Sequence, residues 1–241
     1  MNDTTRFRDV AAVSFAFEPA PWAWAEAHAE RIDRHWAGLT AANPTLFDGH
    51  VLVLRRGEFV GDEFHGAYLE TRYSRFIAWR DFGFPDPSLR NCFAMAALRA
   101  RDGGFLLGVM GPHTSNPGKI YFAAGTPDRE DIVDGVVDVA GSAVRELAEE
   151  TGLDPAGLDV EERWTVVEHG PRIALMRRVR ADATAAELRE RIHANLAAQE
   201  QPELAGMVIV HDENDIAAHE AAMPPFLAAY LRRELALQPC G

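Results

Sequence analysis

The pattern of apolar and polar positions changes character along the chain. In residues 21–40, PWAWAEAHAERIDRHWAGLT, the apolar residues Trp24, Ala27, Ile32 and Trp36 recur at roughly helical spacing behind Pro21, which suits a first helical position. An amphipathic helix is predicted there, ended by Asn43 and Pro44. HVLVLRRGEF and EFHGAYLETRY then alternate well enough to predict two strands joined by a glycine-containing turn. FGFPDPSLRN carries two prolines and a glycine in ten residues and marks a boundary near residue 88.

Beyond it, FAMAALRA and FLLGVMG flank ARDGG in a hairpin-like pattern, and KIYFAAG is a third apolar run after the loop GPHTSNPG. A helix follows around residue 145, then strands in RWTVVE and RIALMRRVRA, a helix in AAELRERIHANLAAQ, a short buried strand in MVIV and a proline-started helix in PPFLAAYLRREL. Strands and helices mixed without strict alternation predict an α+β protein built on a mixed β-sheet flanked by helices. Residues 1–88 form a smaller N-terminal helix-and-strand (α/β) subdomain in this reading, and residues 89–241 the main domain.

Composition narrows the function classes. A chain of 241 residues that is 47% hydrophobic can fill a sizeable core, and its net charge of −13 offers no broad basic face to a nucleic-acid backbone. Long DNA or RNA is therefore not an expected partner. No apolar run approaches the roughly 20 residues that span a bilayer, and MNDTTRFRDV lacks the apolar region of a secretion signal. Only Cys92 and Cys240 occur, too few for a disulfide framework, so a reducing, cytoplasmic setting is expected.

The most informative stretch is RELAEETGL, residues 145–153. On a helix, Glu146, Glu149 and Glu150 stand at i, i+3 and i+4 and project within an arc of about 100°. Ala140, Ala143, Val144, Leu147 and Ala148 gather on a neighbouring arc, which places the carboxylates at the rim of a buried stripe. Asp138 or Ser142 is suited to cap this helix, and Gly152 to end it. Spacing alone leaves two readings. The acids form an oxygen-lined platform for a hard divalent cation such as Mg²⁺, or they are solvated surface with Arg145 and Glu149 as an ordinary i,i+4 ion pair.

The order of residues separates these readings. Arg-Glu-Leu-Ala-Glu-Glu-Thr-Gly-Leu resembles, at every fixed position, the second half of the signature of the Nudix hydrolase family, R-E-U-x-E-E-x-G-U with U aliphatic. That resemblance implies a mixed sheet sandwiched between helices and hydrolysis of a phosphoanhydride in a nucleoside diphosphate linked to a group X, with Mg²⁺ or Mn²⁺. It further implies that Glu146, Glu149 and Glu150 hold the metal and that Arg145 orients them through an ion pair. The first half of the signature departs from the pattern, since Asp131 and Val137 stand where a glycine and a glutamate are asked for. Gly125 follows an apolar strand where the family usually places its double glycine, so the loop into the helix is expected to carry an insertion. Asp134 and Asp138 are candidate replacement acids, with turn and capping roles as the plainer alternative.

Other candidates are spread along the chain. Glu203 precedes a predicted strand where some family members place a catalytic base or a further ligand, with Glu200 second; both also read as loop residues. Lys119, the sole lysine, lies beside the strand carrying Tyr121, and together with Arg80 these are the expected substrate contacts. Arg72, Arg75 and Arg80 share a segment with Tyr68, Tyr73, Phe76 and Trp79, a mixture that suits either base stacking and phosphate contact or plain core packing. His113 and the acidic run His211, Asp212, Glu213 and Asp215 read as loop residues. NPTLFDG resembles a stretch ahead of the core in Nudix enzymes that split UDP-glucose, which inclines the expectation toward a nucleotide sugar. A catalytically degenerate nucleotide-binding or sensing protein is the alternative, and the resemblance makes a homodimer reasonable.

Overall fold

The computed structural model describes residues 4–237, so Cys240 lies outside the described part. The chain opens with β1 (Arg6–Val10) and β2 (Ala12–Phe17), followed by α1 (Ala23–Ala27) and α2 (Ala29–Ala42). The single helix expected over 21–40 is thus two. Both the backbone N–H and the Nδ1–H of His28 donate to the Trp24 carbonyl, which consumes the acceptor at the junction and turns the chain. β3 (His50–Val60), β4 (Glu63–Arg72) and α3 (Tyr73–Asp81) complete the first part, with the β3–β4 turn at Gly61, whose φ of 59° suits a residue without a Cβ.

β5 (Asn91–Ala100), β6 (Phe105–Met110), β7 (Ile120–Tyr121), β8 (Ile132–Val133) and β9 (Val136–Val137) lead to α4 (Val139–Thr151). β10 (Leu158–His169), β11 (Arg172–Ala181), α5 (Ala185–Ala197), β12 (Leu204–Val210), α6 (Glu213–His219) and α7 (Pro225–Ala236) follow. Of the run expected as loop, His211 and Asp212 stay outside a helix while Glu213 and Asp215 begin α6. The Asp212 carboxylate accepts the N–H groups of Asn214 and Asp215 and so caps the helix.

Two sheets result. The larger runs β1-β10-β11-β5-β6-β12 with β7 beside β6; β11 and β5 are parallel and the other pairs antiparallel, so the sheet is mixed as expected. One of its faces, with Met95, Ala97, Phe105 and Met176, packs on α6 and α7 through Ile216, Phe226, Leu227, Tyr230 and Leu231. The opposite face packs on Leu147 of α4 and on Leu188, Ile192 and Leu196 of α5. Helices therefore sandwich the sheet, and period-two alternation along β5 supplies both cores.

The smaller sheet runs β3-β4-β2-β9-β8. Leu52 and Leu54 of β3 face the larger sheet and Ala143 of α4, while Val51 and Val53 face Ile77, Ala78 and Trp79 of α3. Strand pairing crosses the division expected near residue 88 in both directions. β1 belongs to the larger sheet beside β10, and the β8–β9 hairpin joins the smaller one through Ala16 and Val136. No helix among the described residues is long and apolar enough to cross a membrane.

Candidate active site

α4 forms where the sequence places it, for local reasons. Asp138 caps it, accepting the N–H of Gly141 at 2.8 Å, and a Cβ at Gly141 would collide with that carboxylate. Gly152 ends it at φ 71°. Asp138 is thus occupied as a cap, and Asp134 is a turn residue at φ 52° between β8 and β9. Between Gly125 and α4 the chain forms the β8–β9 hairpin, which joins the smaller sheet.

The three glutamates do not share one environment. Glu149 is exposed, Glu146 is half-buried, and Glu150 is 5% exposed, on the buried side of the helix instead of at its rim. Glu150 accepts the backbone N–H of Ala124 at 3.2 Å. The Glu146 carboxylate lies against the bare backbone of Gly125, where any Cβ would strike it. Burial, then repulsion from Glu149, pushes the Glu146 carboxyl up to about 7 despite the opposing pull of Arg145. Burial and the nearby Glu203 push Glu150 up to about 9 against the Ala124 hydrogen bond.

Arg145 is anchored from the other side by a residue that the signature comparison marks only as a missing glycine. Asp131, 2% exposed, accepts from the Arg145 guanidinium at 3.0 Å, and its second oxygen accepts the Asp128 N–H at 3.0 Å. The same guanidinium lies 3.7 Å from Glu146 and 3.8 Å from Glu149. Burial works against its charge, but the Asp131 hydrogen bond and the surrounding acids hold its pKa above the usual arginine value. Val137, at the position of the absent signature glutamate, is buried in the core between the two sheets.

A cavity of about 480 Å³ opens beside this cluster. Lys119, Arg80, Tyr121, Glu146 and Glu203 all line it, so five of the sequence candidates meet in one place. Glu203 is exposed over much of its surface yet faces the cavity wall. Partial burial raises its carboxyl, with His113 pulling the other way. Lys119 is exposed and its ammonium has no ion pair or hydrogen bond among the described residues. Burial pushes the Tyr121 phenol up to about 12, and its oxygen accepts from the Asn116 amide at 3.4 Å. Arg80 donates to Asp81 at 2.8 Å and to the Asn116 side-chain oxygen at 3.4 Å.

Of the aromatic segment, Tyr73 and Phe76 reach the cavity, Tyr68 and Trp79 are core, and Arg72 pairs with Asp48. The first 88 residues thus provide a wall of the site through α3. Phe93, Met95, Phe226 and Arg172 line the cavity without having been candidates. They come from three separate elements, and nothing in their local sequence distinguishes them from ordinary strand and helix residues.

Among the described residues, no three acidic or imidazole side chains are close enough together to form a closed metal cage. Carboxylates that burial and mutual repulsion hold up to about 7 and about 9 nevertheless fit an open site for a hard cation, of the kind whose coordination is completed by water and substrate phosphate.

No protein-family model matches the chain, and no curated protein matches it. Solved structures do. A Nudix hydrolase from M. smegmatis is similar over 62% of this chain and 87% of its own, at 16% identity and a TM-score of 0.39. The MutT protein of Methanosarcina mazei is similar over 60% and 92%, at 18% identity and a TM-score of 0.37. The DR0079 protein of Deinococcus radiodurans is similar over 76% and 98%, at 17% identity and a TM-score of 0.47.

Proposed function

We propose that this chain is a Nudix-type pyrophosphohydrolase that cleaves the diphosphate linkage in a nucleoside diphosphate joined to another group X, a nucleotide sugar being the leading class. One observation carries the reading. The helix bearing Arg-Glu-Leu-Ala-Glu-Glu-Thr-Gly-Leu presents Glu146 to a cavity whose wall also holds an unpaired lysine, an arginine and a second carboxylate.

Glu146 and Glu150, with the exposed Glu149 on the same helix, would hold Mg²⁺ or Mn²⁺. When bound, the cation neutralises the diphosphate and lowers the pKa of an attacking water. The side chains do the remaining work. Arg145, itself fixed by Asp131, limits the positions open to the Glu146 and Glu149 carboxylates. Lys119 binds phosphate oxygens of the scissile linkage and offsets the charge gathering on the leaving phosphate, and Arg80 is a further substrate contact on the same cavity wall. Water adds to phosphorus, the bridging P–O bond breaks, and the water's proton passes to a carboxylate oxygen of Glu203, whose raised pKa makes it a better base than an ordinary glutamate. The aromatic side chains Tyr73, Phe76, Phe93 and Phe226 offer faces to a nucleobase. In this reading the protein works in the cytoplasm, to which the buried free thiol of Cys92 is suited.

The second reading, a nucleotide binder without turnover, is favoured by Asp131 and Val137, which occupy the signature's glycine and glutamate positions with buried structural roles. One assay separates the two. A panel of nucleotide sugars, ADP-ribose, dinucleotides and nucleoside triphosphates is incubated with Mg²⁺ or Mn²⁺, and phosphate-containing products are measured with and without chelator. Turnover that chelator and Glu150→Gln both abolish supports the hydrolase. Turnover indifferent to both refutes the mechanism, and tight binding without product supports the second reading.

A further inference from the structure

The cavity is bipolar along β5. At one end, the Ala96 N–H donates to the Ala123 carbonyl, and Ala124 and Gly125 beside it contact Glu150 and Glu146. At the other end, Asn91 pairs in register with Arg172 at the start of β11. Positions 91 and 96 are five residues apart, which at about 3.3 Å per residue is roughly 16 Å. Phe93 and Met95 lie between them on the cavity wall, facing Phe226.

Arg172 is conspicuous at the far end. It lines the cavity, is half-buried, and has no ion pair or hydrogen bond among the described residues. Burial, followed by repulsion from Arg80, lowers its pKa. Arg80 lines the same cavity and is held on its side by Asp81 and Asn116. Arg172 is held by packing instead of charge: its guanidinium carbon sits 4.9 Å from the centroid of the Phe84 ring. Phe84 adopts φ 57°, a left-handed backbone conformation that is unfavourable for a residue bearing a side chain. Its N–H bonds to the Trp79 carbonyl and its ring packs edge-on to Trp79, so the end of α3 keeps the ring against the arginine.

We infer that Arg172, with Arg80 on the same cavity wall, forms a second anion-binding corner at the Asn91 end of β5, and that the substrate carries an anionic group at the end distant from the scissile anhydride. This rests on the proposed hydrolase reading and narrows its substrate class. The anion is either a carboxylate on group X or a further phosphate on the nucleoside, both of which match a planar guanidinium fork.

Two matched pairs of compounds separate these sources: UDP-glucuronate against UDP-glucose, and ADP-ribose 2′-phosphate against ADP-ribose. The expected result is a preference in kcat/KM of at least about tenfold for the anionic member of one pair, a size typical of a charge-assisted contact. Arg172→Gln and Arg80→Gln each reduce that ratio to within about twofold of one, and Arg172→Lys retains part of it. Equal turnover within both pairs overturns the inference, as does a preference that survives both glutamine variants. If none of the four compounds is turned over, calorimetric binding of the same pairs in magnesium decides the corner separately from the hydrolase reading. Tighter binding of an anionic member that is lost in Arg172→Gln supports it, and equal affinities overturn it.

Discussion

Glu150→Gln gives the sharpest test of the acidic cluster, because the charge it removes is nearly enclosed by protein. The carboxyl has an ordinary value of 4.5 and is pushed up to about 9 in the fold. In the absence of a cation, folded protein near neutral pH keeps this group protonated while the unfolded chain ionises it. The unfolded state then binds fewer protons, so stability falls as pH rises from about 4.5 toward about 9, and the effect vanishes below the lower value. At about 1.4 kcal/mol per pH unit, the penalty near pH 7.5 has a ceiling of about 4 kcal/mol, and relaxation around Glu146 and Glu203 brings the expectation to about 2 kcal/mol. Glutamine is neutral throughout and keeps an oxygen to accept the Ala124 N–H. In chelator near pH 7.5 the variant is therefore expected to melt about 4–8 °C above the parent, using about 2–4 °C per kcal/mol for a chain of this size. The gap should close as the buffer approaches pH 5. Millimolar magnesium should stabilise the parent more than the variant, because the cation binds the ionised carboxylate. Thermal melts across that pH range, with and without magnesium, make the measurement. A variant less stable than the parent in chelator, or a gap that does not change with pH, would refute the idea that Glu150 is an enclosed, strained acid.

Three further outcomes follow from the same geometry. Asp131→Asn leaves one carboxamide facing two donors, the Arg145 guanidinium and the Asp128 N–H, so denaturant unfolding should show a loss of about 2–3 kcal/mol. Its kcat should fall at least about tenfold, with KM less affected, because Arg145 would no longer be fixed; unchanged kcat would argue against that role. Gly125→Ala forces the Glu146 carboxylate to move while leaving the backbone conformation allowed. Titration should show about tenfold weaker magnesium dependence with a melting temperature within about 2 °C of the parent, and large destabilisation would contradict the proposed collision. Leu147→Ala, beneath the glutamates in the core, should cost about 2–5 kcal/mol on chemical denaturation, and a cost below about 1 kcal/mol would deny the packing described.

The elements legible in the sequence were those with one clear buried face or one long buried run. β5, β6, β11 and α5 fall where the apolar pattern puts them, because the three strands are long runs buried on both faces of the sheet and α5 repeats against a single layer. α3 was hidden because Ser74, Phe76, Ile77, Ala78 and Trp79 are all buried, leaving no polar stripe to reveal a helix. β1 was hidden for the opposite reason: only Val10 of its five residues is buried, as befits an edge strand. The acid cluster was legible because one helix carries it. Arg172, Phe93 and Phe226 were not, since they become neighbours only through sheet register and helix docking. Asp131 shows the same limit, being an irregularity in the linear motif and the anchor of Arg145 in three dimensions.

The pairing of β1 with β10 also shapes how the protein reaches this state. Arg6 through Val10 find their strand partners between Trp164 and Glu168, and Asp9 is bonded by Arg233 at 2.6 Å and by the Thr165 hydroxyl at 2.7 Å. Segments translated early must therefore wait for ones translated more than 150 residues later, and such distant closures slow assembly. Until they meet, the outer side of β10 stays open to foreign strands. Yield at high expression and refolding speed should thus respond to changes in residues 6–10, even though none of these five lines the cavity.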